Sequence, residues 1–180
     1  QPEDLEGRAD LREEIIFTID GADSLDLDDA VSLHPLQEGG WQLGVHIADV
    51  SHYVTPGTVL DNEAFHRGTS IYYADQVIPM LPKELSNGIC SLNPGEDRLA
   101  FSAILTLDEH GGLTDYFFQK SVIRSRVKGV YSEVNDILEN TASPAVLEKY
   151  KDVIPTLEMM YQVAKLREKI RRRRGAPEIE

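Results

Sequence analysis

One short stretch, Ile15 to Val31, limits what this chain can fold into more than any other. A β-prone apolar run, Ile15 to Ile19, delivers the backbone to Asp20. A turn containing Gly21 follows, and then Asp26, Asp28 and Asp29 arrive together, just before a second apolar run begins at Ala30. From Glu13 to Leu33 there are seven acidic residues and no Lys, Arg or His. Two carboxylates ~6 Å apart repel by about 3 kcal/mol at an effective dielectric of about 20. Asp, Gly and Ser are ordinary turn formers, and an acidic turn is usually a solvated loop. Here the flanking apolar runs place the carboxylates at strand ends. Leu25 and Leu27 alternate with Asp26 and Asp28, which holds the two acids on one side of an extended segment. Such a group is either well solvated or built around a divalent cation. Oxygen-only ligands suit Mg²⁺ or Mn²⁺, with Ca²⁺ as a further option. An EF-hand loop does not fit, because Val31 would stand where its turn Gly belongs and Gln37 where its closing Glu belongs.

The elements around this stretch read as α+β. Residues 15 to 19 and 30 to 36 are expected strands, joined through Gly39-Gly40 to a third, in which Trp41, Leu43, Val45 and Ile47 share one face. Thr58 caps a short helix through Leu60, Ala64 and Phe65 that Gly68 stops. Ser70 to Tyr73 is a short extended piece, and residues 74 to 97 read as an irregular loop. Leu99 to Leu107 alternates as a strand, and Gly111-Gly112 turns it into a long partner running to about Lys128. The last third is helical. One helix spans Tyr131 to Leu138, and another is capped by Ser143 with Pro144 at its first position. Pro155 breaks or restarts a longer helix to about Arg174, whose core face carries Leu157, Met160, Tyr161 and Ala164. The expectation is therefore a mixed, mostly antiparallel sheet packed by helices. A linker covers 1–14, a sheet-rich part 15–128 and a helical part of the same domain 129–180.

Charge bears on partners. The net charge is −13, yet residues 165 to 174 carry +6, which leaves −19 on the rest. A body so negative does not hold a polyanion unaided, so bound cations or other domains would supply the attraction. No apolar run is long enough to span a membrane. The polar, acidic start shows no signal peptide. The single Cys90 excludes an intrachain disulfide and fits a reducing compartment, so the expected location is cytoplasmic.

Several strings occur in the order found in a known family. They are Thr18 to Gly21 with Asp26 to Ala30, Leu43 to His52, and Arg67 to Tyr72. Ile78 to Pro82, Leu85 to Asn87, Cys90 to Pro94 and Asp97 to Leu99 complete the set. With these the chain resembles the first part of the RNB catalytic domain of the RNase II and RNase R exoribonucleases and the exosome's hydrolytic subunit. The resemblance implies processive hydrolysis of RNA from its 3′ end, releasing nucleoside 5′-monophosphates with Mg²⁺ (Mn²⁺ as the alternative). It maps the family's four acidic positions onto Asp20, Asp26, Asp28 and Asp29, and leaves Asp23 out. It maps the aromatic that stacks on the 3′-terminal base onto Tyr72, with Tyr73 one alignment slip away. Two-metal hydrolysis needs such carboxylates, with the scissile phosphate completing the site. The expected partner is the 3′ end of single-stranded RNA. The family's Arg-containing phosphate clamp, the rest of its catalytic domain and its cold-shock and S1 domains have no counterpart here. The 180 residues alone are thus expected to have little or no nuclease activity.

Other candidates have plainer readings. His46, Asp49 and His52 are spaced like Zn²⁺ ligands, although structural hydrogen bonding is the commoner fate. Lys120, Arg124, Arg126 and Lys128 share parity on the expected long strand and could neutralise the acidic stretch. Cys90 reads as buried structure and Met159 and Met160 as core filler. Two rival functions are a phosphatase of the Asp-x-Asp kind and a non-catalytic RNA-binding relative. The first needs its leading Asp at the end of a buried strand, whereas Asp26 follows a polar turn. The second is disfavoured by the presence of all four carboxylates.

Overall fold

In the computed structural model, residues 2–74 and 76–176 are described, apart from the side chains of Pro2 and Glu3. Gln1, Asp75 and 177–180, which belong to the expected linker, loop and helical parts, lie outside the described residues. The chain runs β1 (Ala9–Leu11), β2 (Thr18–Asp20), β3 (Asp29–Pro35), β4 (Trp41–Ala48), α1 (Val59–Arg67), β5 (Ile71–Tyr72) and β6 (Val77–Ile78). It continues through β7 (Asp97–Leu107), β8 (Leu113–Arg124), β9 (Lys128–Val130), α2 (Tyr131–Leu138), α3 (Pro144–Tyr150) and α4 (Ile154–Arg173). Five strands form the main sheet in the order β1-β8-β7-β4-β3, with β2-β9 and β5-β6 as separate pairs. Among the described strand pairs, β1-β8 and β2-β9 are parallel and the others antiparallel. The α+β expectation of a mixed, mostly antiparallel sheet with a helical last third holds.

The two faces of the main sheet are covered differently. On one, Ala30, His46, Ala48 and Ala100 are buried, and Ile16, Leu27, Cys90 and Leu92 pack over the small side chains. Toward one end of the other, Leu33 and Leu107 meet Val163 of α4, with Trp41, Leu43, Met159 and Met160 around them. A third cluster holds Phe17, Val127, Val134, Ile137, Tyr150, Val153 and Leu157 between β2, β9 and the helices. The Tyr150 hydroxyl donates to Glu133 at 2.6 Å and accepts from the Val130 N–H at 2.8 Å, tying α3 to the end of β9.

Several expectations need correction. The apolar run Ile15 to Ile19 is not a continuous ladder strand. Ile16 and Phe17 are swallowed by two cores, Phe17 makes a single bridge to Val31, and pairing proper begins at Thr18. Tertiary burial outcompetes strand pairing for these side chains. Residues 9–11, within the expected linker, form an edge strand on β8. Arg8 explains why. Its guanidinium is buried against Asp49 at 2.6 Å and reaches the Ala100 and Ser121 carbonyls at 3.4 Å. The long strand expected to Lys128 stops at Arg124, and β9 restarts at Lys128 beside β2. The irregular loop at 74–97 contains β6 and a π-helical turn, Glu84–Ile89. Pro155 restarts a helix, as expected, in the first turn of α4. The core face of α4 is Thr156, Leu157, Met160 and Val163, while Tyr161 is exposed beneath the Lys165 ammonium and Ala164 is exposed. Thr58 and Gly68 cap α1 as expected, but Phe65 points to solvent and Ala64 alone is buried there.

His46, Asp49 and His52 do not form a metal site. His46 is buried in a hydrogen-bonded chain across the sheet. Ser32 Oγ lies 3.0 Å from its Nε2, Ser102 Oγ 2.8 Å from its Nδ1, and Ser121 Oγ 2.6 Å beyond Ser102. Gly44 makes room for it, since a Cβ there would sit 2.3 Å from Ser32 Oγ and 2.6 Å from His46 Nε2. Asp49 is taken by Arg8, and His52 Nε2 lies 2.9 Å from Asp4.

Burial, and secondarily the charge of nearby His34, pushes the His46 imidazole down to about 4. The unfolded chain therefore takes up a proton near His46's ordinary value of 6.5 that the folded chain refuses until about 4. Stability is full above 6.5, falls as pH drops and levels below about 4, a loss of about 3 kcal/mol. Urea unfolding against pH checks this. The slope between about pH 6.5 and 5, above the carboxylate range, should vanish in His46→Gln.

Candidate metal and RNA site

Asp20 stands at the end of β2, which is held by parallel pairing with β9 (Ile19 opposite Gly129, Asp20 opposite Val130). Gly129 is needed for that approach, because a Cβ there would lie 2.3 Å from the Thr18 carbonyl oxygen. The turn after Asp20 is fixed from outside. Lys128 Nζ donates to the Ala22 and Ser24 carbonyls at 3.0 and 2.7 Å. Ser91 grips the next segment, its hydroxyl donating to Leu25 O at 3.0 Å and accepting from the Leu27 N–H at 3.1 Å. The Leu92 N–H donates to Leu27 O and the Ala48 N–H to Asp28 O, both at 2.9 Å. Of the two leucines, only Leu27 anchors the stretch. Leu25 is exposed.

These contacts bring the four aspartates within electrostatic reach of one another. Desolvation raises the Asp28 carboxyl above its ordinary value, and Asp26, Asp29 and Asp20 add to the effect. Desolvation likewise raises Asp20, with Asp29 and Asp26 contributing and Lys128 opposing. The Thr18 hydroxyl lies close enough to favour the charged form of Asp20, but has no hydrogen bond of acceptable geometry. Asp20 Oδ2 is itself buried without a hydrogen-bond partner. Among the described residues no three His, Cys, Asp or Glu side chains are grouped closely enough to hold an ion by themselves. The oxygen donors are of the kind a hard divalent cation takes, but such an ion would need further oxygen ligands beyond those grouped here.

Tyr72 sits across from the acidic stretch. It lies on the β5-β6 hairpin, opposite Val77, and its hydroxyl donates to Asp26 Oδ2 at 3.2 Å. The Asp26 charge raises the phenol above its usual value. Tyr72 is 66% exposed. Tyr73, just past the end of β5, is also exposed but, among the described residues, makes no hydrogen bond to the acidic stretch like that of Tyr72. The hairpin is braced by Arg67, which donates to the Pro79 carbonyl at 3.2 Å, and by Ser70, which accepts from the Met80 N–H at 2.9 Å. Between hairpin and acidic turn runs a cleft of ≈ 780 Å³, whose walls include Gly21, Asp26, Tyr72 and Lys83. Of the four basic residues on the expected strand, only Lys128 reaches the acidic turn. Arg124 pairs with Asp97, and Arg126 donates to the carbonyls of Arg12, Glu13 and Glu14. The break at residues 125–127 destroys the common face their parity implied. Sequence reading missed the Ser91 clamp, a lone serine that meets Leu25 and Leu27 across more than sixty intervening residues.

Comparison with known proteins adds to this geometry. A model of the RNB domain family matches residues 8–180. The chain is 50% identical over 173 residues to Ribonuclease R of Thermotoga maritima, covering 96% of this chain and 24% of that protein. It is 46% identical over 173 residues to Ribonuclease R 1 of Lactococcus lactis, covering 96% and 21%. The structure matches Mycoplasma genitalium RNase R in complex with double-stranded RNA at a TM-score of 0.89 and 33% identity, over 96% of this chain and 30% of that one. The chain thus spans about a quarter of the length of the relatives it matches.

Raised carboxyls mean that desolvation, with mutual repulsion added to it, opposes folding above the carboxylate range. Asp28→Asn should stabilise the chain in EDTA by under about 1 kcal/mol after solvent screening, read as a higher melting temperature. Mg²⁺ or Mn²⁺ should stabilise the wild-type chain, and the variant much less. Calorimetric titration and thermal melts with and without the ions check both statements.

Proposed function

The chain belongs to the RNB domain family, and from that premise we propose that it forms the metal-binding part of a cytoplasmic 3′-to-5′ exoribonuclease. The parent enzyme would hydrolyse single-stranded RNA from its 3′ end to nucleoside 5′-monophosphates. The observation that carries this reading is the clamped acidic stretch, four aspartates within electrostatic reach of one another, with Asp20 Oδ2 left unpartnered and Asp26 hydrogen-bonded to Tyr72.

Bound Mg²⁺, or Mn²⁺ in its place, would supply a nucleophilic water at neutral pH and charge relief on the leaving oxygen. Asp20 and Asp29, at the ends of two strands, would hold the more permanent ion. Asp28 would orient the attacking water and serve the second ion. Asp26 braces the cluster and tethers Tyr72. The Tyr72 ring stacks on the terminal base without reading its identity, which suits a non-specific exonuclease and contributes ~1–3 kcal/mol per base. The substrate phosphate and groups from the remainder of the catalytic domain complete the open ligand set. Cold-shock and S1 domains of the parent supply RNA affinity that a chain of net charge −13 lacks. Without those parts the 180 residues should show little or no cleavage.

The test uses the Thermotoga maritima relative with its matching segment replaced by this chain, and follows a labelled single-stranded RNA. Asp28→Asn should abolish cleavage, by about a thousandfold or more, while leaving RNA affinity within about threefold. Retained cleavage would sink the assignment. Tyr72→Ala should weaken hold on the last base and lengthen the end products, with Tyr72→Phe close to wild type.

A further inference from the structure

One end of an otherwise covered sheet face is open. In the ladder, Ile47, Phe101 and Lys120 lie opposite one another, as do Val45, Ala103 and Phe118, and Leu43, Leu105 and Tyr116. Strand alternation puts all of these on the face that α4 roofs further along, at Leu33, Leu43 and Leu107. Beyond α4 the roof stops. Ile47, Phe101, Tyr116 and Phe118 are 46, 44, 57 and 58% exposed. Phe101 and Phe118 are stacked with centroids 5.8 Å apart, and Tyr116 meets Phe118 edge-on at 5.7 Å. Asp29 lies in register with Ile47, so the patch begins where the acidic stretch ends. Ordered aromatics in contiguous, half-open contact mark an interaction surface.

We infer that this open face is an internal interface, covered in a polypeptide of the relatives' length by an apolar helix or strand from the remainder of the catalytic domain. Two observations select that occupant. The patch is continuous with the contact α4 already makes on the same face. The matched relatives are about four times as long as this chain. RNA is a poor occupant, because Lys120 is the one cation in these rows and Asp29 borders them. A second copy is a poor one too, because each copy carries −13. Covering the face would also fix Ile47 and with it Asp29, so domain completion and assembly of the acidic site are coupled. This inference rests on the family and on surface chemistry, and stands or falls separately from the metal chemistry.

The experiment places a thiol on the patch. Phe118→Cys is made in the 180-residue chain and in the same chain grafted into the Thermotoga maritima relative, and maleimide labelling is followed, scaled to each protein's rate in urea. Cys90 is buried and does not compete. Labelling should be at least about tenfold slower in the grafted protein. If the graft does not fold, the separately produced remainder of that relative, added in excess to the 180-residue chain, should slow labelling to the same degree. Equal rates in these comparisons overturn the inference. So does labelling of the 180-residue chain that slows as its own concentration rises, which would mean self-association. Slowing by an RNA oligonucleotide alone overturns it in favour of a stacking platform.

Discussion

The structure depends on holding four like charges together against their own repulsion. Partly desolvated carboxylates within electrostatic reach of one another do not gather unaided, and the stretch from Asp20 to Asp29 contributes only Leu27 to the core that could hold it. The restraint comes from elsewhere in the chain. Lys128 and Ser91 bind the backbone of the turn, Leu92 and Ala48 bind the segment after it, and β9 fixes the strand before it. These contacts are to backbone groups, so the carboxyl oxygens stay available. The arrangement costs stability, as the raised Asp20 and Asp28 carboxyls show, and sites that break local rules in this way are often functional.

The sheet serves that restraint. Its small residues, Ala30, Ala48 and Ala100, let Ile16, Leu27, Cys90 and Leu92 lie close over one face. The buried chain from Ser32 through His46 and Ser102 to Ser121 crosses four strands and satisfies its polar groups among themselves. A histidine that spacing alone offers as a metal ligand is here a neutral cross-brace. The Arg8–Asp49 pair does similar work at the edge, pinning the beginning of the described chain and placing β1.

Family membership and site geometry are separate kinds of support. A 0.89 TM-score and half-identical relatives establish the RNB fold, and the relatives' own names attach ribonuclease activity to them. The clamped aspartates, the orphan oxygen and the Tyr72–Asp26 hydrogen bond are properties of this chain, independent of those likenesses. They connect an exposed tyrosine to the acidic stretch.

What the sequence alone determined was local. The Asp spacing, the alternation through Trp41–Ala48 and Leu99–Leu107, the Thr58, Gly68 and Ser143 caps and the Pro155 restart were readable because turns, caps and periodicity act over a few residues. The ordered strings also carried the family. Tertiary structure decided what depends on distant partners. It turned Phe17 from strand into core, split the basic strand so that Lys128 alone meets the acidic turn, and gave Asp49 to Arg8. It also left Phe65 and Tyr161 outside and set Ser91 against Leu25 and Leu27. Burial and long-range hydrogen bonding are sums over neighbours that arrive from every part of the chain, and no window of sequence contains them.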